Sequence, residues 1–372
     1  MVTAYGAARI VTMNPAHPEV VLGALLVEDG RIAAVVPRRE AKGVPVHDLG
    51  PVTLVPGLIN AHTHLELSHL AGRVAGGHGF ASWADSLFAA MRAHRSTPSD
   101  LAAALAAARA SGTCFVADVA GRDAATVRAA LKAQGLGGHL FRELSGRGAL
   151  PDLSPQDWPA PWSPSVHSLY STAPSLAREA KVWCASRDLP FSLHLAEVPG
   201  ENELFLGRGG DFNDFLRARR ILPKGFVPPG ANAVAYAADL GLLDERTLAV
   251  HCVQVDEADI GVLARSGAGV CLCPRSNRRI GVGEAPAAAL HAAGVTLCLG
   301  TDSLASNDDL DLWAELRAVR AMLPPATPVH DLLAMVTTHP AKILGVDGEY
   351  GSLEAGKRAV WAVLPPDFAM LP

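Results

Sequence analysis

From Leu54 onward the sequence repeats one unit, a short apolar run followed by an alanine-rich or amphipathic stretch, and the unit recurs eight times. The runs lie at Thr53 to Ala61, Thr113 to Val119, Gly138 to Glu143, Ser165 to Tyr170, Phe191 to Ala196, Leu248 to Val253, Ala268 to Cys273 and Val295 to Gly300. Apolar runs of this length separated by helical stretches read as parallel strands joined by crossover helices. Eight such strands close on themselves, so the expected fold class is α/β, a (β/α)8 or TIM barrel. The clearest helix is Leu101 to Ala110, with Ser99 and Asp100 as capping candidates and a stop near Gly112.

The two ends of the chain read differently. Before residue 55, β-rich runs at Ala8 to Met13, Gly23 to Glu28 and Arg31 to Val36 alternate with turns, the last after the pair Asp29-Gly30. After the eighth run come helical stretches at Leu312 to Met322 and His330 to Leu344, then a β-rich tail at Arg358 to Leu364. Pairing of the tail with the N-terminal strands would build one small β-sandwich module from residues 1–55 plus 345–372, leaving 56–344 as the barrel. The long connection Val198 to Thr247 reads as helices plus a loop over the barrel mouth.

Composition narrows the class of partner. Apolar residues at 49% and charged residues at 19% fit a globular chain, and no apolar run approaches the roughly 18 residues of a membrane span. A net charge of −5 without a basic block gives nucleic acid no footprint, so a small-molecule partner is expected. Arg9, Asn14 and Pro15 stand where an export signal needs an apolar core, and the six cysteines fall in apolar runs without a Cys-x-x-Cys pair. A reducing cytoplasm is the expected location. A homodimer is one option for assembly.

In a barrel of this kind the reacting groups come from the C-terminal ends of the strands. The first run ends in His62-Thr63-His64, whose two imidazoles share a face by strand alternation. The fifth ends in His194 with Glu197 three residues on, the sixth in His251, and the eighth in Asp302. Imidazole and carboxylate groups converging from separate strands suit a zinc ion that keeps one position open for water. The fourth run contains no lysine, so a carboxylated lysine has no candidate there and a single divalent metal per subunit is favoured, zinc first, with iron or manganese as alternatives.

This set of motifs resembles the amidohydrolase superfamily, in its metal-dependent deaminase and chlorohydrolase branch. The resemblance runs from Pro56-Gly57-Leu58-Ile59-Asn60-Ala61-His62-Thr63-His64 through His194-Leu195-Ala196-Glu197, Val250-His251-Cys252, Cys273-Pro274-Arg275-Ser276-Asn277 and Gly300-Thr301-Asp302-Ser303 to Gly351-Ser352-Leu353-Glu354-Ala355-Gly356-Lys357. It implies that His62, His64, His194 and Asp302 bind the metal and that His251 holds the attacking water or the reacting group. Glu197 would touch the substrate and shuttle protons, with Asp302 able to take the water's first proton. The implied reaction is hydrolytic deamination at C6 of an adenine ring, with ammonia released.

Other implied features concern the substrate. His167 occupies the position of a histidine that contacts the nucleoside sugar in similar deaminases. Arg142 and Arg147 are candidate partners for a polar or carboxylate tail, and Trp83 either stacks on a purine face or anchors a helix. The run His64-Leu65-Glu66-Leu67-Ser68 looks most like aminofutalosine deaminases of the alternative menaquinone route, with S-adenosylhomocysteine deaminases close behind. Guanine or pterin deamination, chlorohydrolysis and cyclic amide hydrolysis are the competing reactions at the same site. The tail segment Gly356 to Trp361 lacks the aspartate usual in the family, which puts the packing of the terminal module in question.

Overall fold

The computed structural model describes residues 1–121, 123–151, 153 and 161–369. The last three residues of the terminal module, 370–372, lie outside the described residues. Among those described, eight parallel strands follow chain order: Leu58–Thr63, Thr113–Ala120, Gly137–Leu144, Trp162–Val166, Phe191–Leu195, Thr247–His251, Gly269–Leu272 and Leu297–Leu299. Nearly every strand residue is buried, as expected of a sheet that encloses a core and is itself covered by helices. The first and last strands meet where Asp302 N donates to His62 O at 3.0 Å, beside a parallel bridge between Thr63 and Asp302. This closes the (β/α)8 barrel.

Close approach at this seam requires a glycine. A Cβ on Gly300 would lie 2.7 Å from His62 Cβ and 2.8 Å from its carbonyl oxygen, separations that real side chains do not tolerate. Asn60 ties the same two strands together, donating from Nδ2 to Thr301 Oγ1 at 2.8 Å.

Two runs differ from the sequence expectation. Thr53 to Ala61 is two strands: Thr53–Pro56 belongs to the terminal sheet and Leu58–Thr63 to the barrel. Pro56 has no N–H to continue a ladder, and a Cβ on Gly57 would come within 2.7 Å of Cys114, so the chain switches sheets at this pair. The fourth strand is Trp162–Val166, earlier than Ser165 to Tyr170, because Pro161 and Pro164 disguise it as a loop. His167 to Tyr170 instead form a bend and turn above the strand end. The helix expected from Leu101 begins at Pro98, and its cap is Thr97 in place of Ser99 or Asp100. Thr97 Oγ1 accepts from Asp100 N while Asp100 Oδ2 accepts from Thr97 N, a reciprocal capping box.

The termini build one mixed sheet, in the order Trp361–Val363, Thr53–Pro56, Thr3–Val11, Glu19–Glu28, Arg31–Pro37, with Val46–Asp48 also pairing Thr3–Val11. The expected sandwich is thus realised as a single six-stranded sheet with an apolar cluster on each face, Ile10, Leu25 and Leu54 in one and Ala4, Ala24 and Ala41 in the other. The tail strand joins it despite the missing aspartate, pairing Ala362 with Val55. The connection after the fifth strand contains helices Glu201–Phe205, Asp211–Ala218 and Ala233–Asp239. No helix among the described residues is long and apolar enough to cross a membrane.

Candidate active site

The strand ends deliver their polar side chains to one point. His64 Nε2 lies 3.3 Å from His194 Nε2, and Asp302 Oδ1 lies 3.6 Å from both His62 Nε2 and His64 Nε2. The ring nitrogens of His62, His64 and His194 fall within 4.8 Å of one another. Both nitrogens of His62 are buried with no hydrogen-bond partner among the described residues, a costly state for an imidazole unless another atom takes the lone pair.

Neighbouring groups fix the orientation of each ligand candidate. His194 Nδ1 donates to the His167 carbonyl at 2.7 Å, so its proton sits there and Nε2 presents a lone pair towards His64. Asp302 Oδ2 accepts from Ser276 Oγ at 2.6 Å and Ser306 Oγ at 2.8 Å, leaving Oδ1 to face the histidines. Asp118, at the end of the second strand, receives Thr63 Oγ1 at 2.9 Å and Leu65 N at 2.7 Å and so braces the residues flanking His64. Such outer partners hold ligand geometry in metal sites.

Protonation states agree with this arrangement. Burial, reinforced by the neighbouring His62, pulls His64 down to about 3, and burial likewise pulls His62 and His194 below the ordinary imidazole range. Burial opposes the Asp302 carboxylate, yet His62 and the imidazoles around it hold its carboxyl well below the usual carboxylate range. Three neutral imidazoles and one carboxylate are the donor forms a divalent cation requires. The residues present therefore fit a single such ion.

Beside these groups, His251 Nε2 stands 3.7 Å from Glu197 Oε1, and His251 Nδ1 donates to Asn277 Oδ1 at 2.8 Å. Glu197 is buried, which raises its carboxyl above the usual range. Its backbone N–H and that of Ala196 donate to Glu201 at 3.1 and 3.2 Å, and burial lifts Glu201 to about 8. Ala196, His251, Cys252 and Asp302 all take positive φ, between 46° and 76°. Non-glycine residues rarely adopt that region, and its concentration at three strand ends marks backbone bent to turn side chains into the mouth.

A cavity of about 290 Å³ opens over this cluster, lined on one side by His64, Glu143, His167, His194, Glu197, His251 and Asp302. The opposite wall is apolar, with Phe80, Trp83, Leu87, Phe88 and Met91 from helix Phe80–Ala93 and Phe215, Leu216 and Ile221 from the connection after strand five. Trp83 donates Nε1 to Ala305 O at 3.1 Å and presents its ring to this wall beside Phe80. His167 lines the cavity, its Nδ1 engaged by Ser171 Oγ at 2.8 Å and Ser168 Oγ at 3.0 Å.

Arg142 and Arg147 are not brought to this cavity. Alternation along Gly137–Leu144 turns Glu143 inward and Arg142 to the other face. Arg147 is exposed and donates Nη1 to Lys224 O at 2.9 Å. Glu66 and Tyr170 also line the cavity, and sequence reasoning gave no individual role to Glu143, Glu66, Tyr170 or Asn277, although Glu66 and Asn277 lie in motifs it singled out. Glu143 carried the signal used for the other strand ends, a carboxylate at the end of the third run, while the apolar wall resembles any helix's core stripe.

Glu143, His167 and His194 form a second group with ligand atoms within 4.8 Å. The His194 nitrogen on this side is Nδ1, 4.0 Å from Glu143 Oε1, and its proton is given to the His167 carbonyl. It offers no lone pair, so two donors remain, too few for a structural or catalytic ion.

Similarity to known proteins agrees with the geometry. The model of the Amidohydrolase family matches residues 53–371. A 5-methylthioadenosine/S-adenosylhomocysteine deaminase of Nitratidesulfovibrio vulgaris is 32% identical over 378 residues, spanning 94% of this chain and 80% of that protein. An adenosine deaminase of Xanthomonas campestris, solved with bound zinc, aligns with a TM-score of 0.82 at 25% identity, covering 97% of this chain and 84% of that one. A Helicobacter pylori aminofutalosine deaminase in complex with methylthio-coformycin shares the fold at the same TM-score, 0.82, with 23% identity and 97% and 91% coverage. A family model that spans the whole barrel, together with a relative matched over most of both lengths, establishes that this chain belongs to the amidohydrolase family.

Proposed function

We propose that this amidohydrolase removes the exocyclic amine of adenine in a nucleoside carrying an apolar 5′ substituent, with His62, His64, His194 and Asp302 holding one zinc ion. The observation that carries the reading is the Glu197–His251 pair, 3.7 Å apart, set beside four metal-donor groups at the buried end of a cavity whose opposite wall is apolar. The curated relative's name supplies the class, 5-methylthioadenosine and S-adenosylhomocysteine. A methylthio group suits the wall formed by Phe88, Met91 and Phe215. Aminofutalosine, of the alternative menaquinone route, is the second candidate. The six cysteines, all buried and unpaired, support a reducing cytoplasm as the location.

A bound divalent ion would bring the pKa of a water towards neutrality and polarise it for attack. The chain's own groups handle the protons. Glu197, with its acidity weakened by burial, gives a proton to N1 of the ring as the water oxygen bonds to C6. Asp302 Oδ1 takes the proton the water loses, while His251, locked by Asn277, directs Nε2 at the reacting centre. Asp302 returns its proton to the amine through Glu197, the C6–N bond breaks and ammonia leaves, and Glu197 takes the proton of the C6 hydroxyl as that oxygen becomes the carbonyl, so both carboxyl groups end as they began.

The test is ammonia release by metal-loaded protein from a panel of adenosine, 5′-methylthioadenosine, S-adenosylhomocysteine and aminofutalosine. Turnover of at least one adenine nucleoside is expected. A panel without ammonia, alongside chloride release from a chlorotriazine or opening of a cyclic amide, would replace deamination by one of those reactions.

A further inference from the structure

Glu143 is a cavity residue to which the reaction gives no task. It projects from the end of the third strand, and its Oε1 is buried with no hydrogen-bond partner among the described residues. His194 Nδ1 stands 4.0 Å away, beyond hydrogen-bond reach and already committed to the His167 carbonyl. The same commitment removes the second group of metal donors as an explanation. A carboxylate oxygen left in this state costs stability, since burial strips it of water and no donor replaces what is lost. It remains in a pocket that must accept a ligand, with one side of the carboxyl group open to the cavity.

We infer that Glu143 is a specificity residue that accepts hydrogen bonds from the vicinal hydroxyls of the substrate's sugar, so that the enzyme selects ribonucleosides over deoxyribonucleosides. This rests on the proposed nucleoside reading and deepens it. Two cis hydroxyls present two O–H donors to one carboxylate, whose cavity-facing oxygen has acceptor sites for both. The position suits the task. Glu143 and His167 leave the third and fourth strands, on one side of His194, whereas Glu197, His251 and Asp302 leave the fifth, sixth and eighth on the other. A nucleoside with its base over Glu197 would then carry its sugar towards Glu143, with the 5′ substituent against the apolar wall. His167 faces the same volume, its Nδ1 held by Ser171 and Ser168, which leaves Nε2 to join the contact.

The experiment compares 5′-methylthioadenosine with its 2′-deoxy and 3′-deoxy counterparts in the wild type, Glu143→Gln and Glu143→Ala. It reads kcat/KM from ammonia release, equilibrium binding by calorimetry, and metal content. The wild type is expected to favour the ribonucleoside about 10- to 100-fold over each deoxy form, the worth of one hydroxyl hydrogen bond to a charged acceptor. In Glu143→Ala this ratio should fall to about 3-fold or less, with Glu143→Gln intermediate and the metal content of all three proteins equal. A merely structural role would weaken every substrate alike and preserve the ratio, which would overturn the inference. So would a wild type that does not discriminate, or variants that lose the metal. If no nucleoside releases ammonia but ribonucleoside binding still depends on Glu143, the deaminase reading falls and this one stands; if none binds, both fall.

Discussion

The two walls of the cavity are built on opposite principles. On the strand-end side four of the reacting or ligating residues are positioned by a further group: His194 by the His167 carbonyl, Asp302 by Ser276 and Ser306, His251 by Asn277, and Glu197 by Glu201 through the backbone. Among the described residues, the facing wall has no comparable network beyond ties such as Trp83 Nε1 to Ala305 O. Helix Phe80–Ala93 and the stretch through Ile221 meet through ring contacts, Phe80 with Phe212 and Phe215 at 5.9 and 6.2 Å, and an exposed ion pair between Arg219 and Asp85. Exposed ion pairs contribute little, and ring contacts tolerate adjustment. In the proposed reaction, bond breaking would depend on the first wall and the choice of what enters on the second, so substitutions in the two should fail in different ways.

The largest effect should come from His194→Ala, which removes a ligand candidate and is expected to abolish both bound metal and turnover, read by metal analysis and ammonia release. Glu197→Gln should retain the metal while kcat drops by about 10²- to 10⁴-fold, the usual share of a positioned proton donor. Equal metal loss in these two variants would break the division between holding the ion and moving protons. Asn277→Ala frees His251 Nδ1 without touching substrate, and a decrease of roughly 10- to 100-fold in kcat at constant metal content is expected.

Across the cavity, Phe215→Ala should leave metal and kcat nearly unchanged and raise KM roughly tenfold for 5′-methylthioadenosine, from about 1.5 kcal/mol of lost apolar burial. A matching fall in kcat would show that the apolar wall also shapes the chemistry. A separate effect, on stability and with no loss of turnover at stake, concerns the scaffold behind the strand ends. Glu315 is fully buried, accepts from Asn307 Nδ2 and Arg275 N, and is lifted by burial to about 8. Because its folded value exceeds the unfolded one, the protonated form stabilises the fold at low pH, and that contribution disappears as pH rises through 8. Metal-free wild type should lose up to about 1.4 kcal/mol per pH unit between pH 5 and 8, a slope that Glu315→Gln flattens in urea unfolding.

The same contrast explains what could be read from the sequence. Strand ends obey a rule of position, so the alternating pair His62 and His64 and the strand-end groups His194, His251 and Asp302 stood out once the eight runs were counted. Glu143 obeyed that rule too and was passed over for the neighbouring Arg142, although alternation admits only one of them to the cavity. The apolar wall had no rule to follow. Phe80, Leu87 and Met91 repeat at helical spacing, and nothing in a single sequence distinguishes a stripe that faces a ligand from one that faces a core. The fourth strand was displaced for a local reason, since Pro161 and Pro164 suppress the strand pattern that the barrel imposes through its neighbours.

The seam between the first and last strands has a consequence for how the chain matures. Asn60 and Thr301, hydrogen-bonded beside the metal-donor groups, are 241 residues apart in sequence. Contacts of such long range form only after most of the intervening chain is in place. The half-sites contributed by His62 and by Asp302 therefore come together at the end of assembly, and an ion that binds both favours the sealed ring over any partly folded form in proportion to its affinity. The proposed catalytic centre would in this sense also be the clasp of the barrel, and a protein starved of metal during synthesis should open first along the line between these two strands.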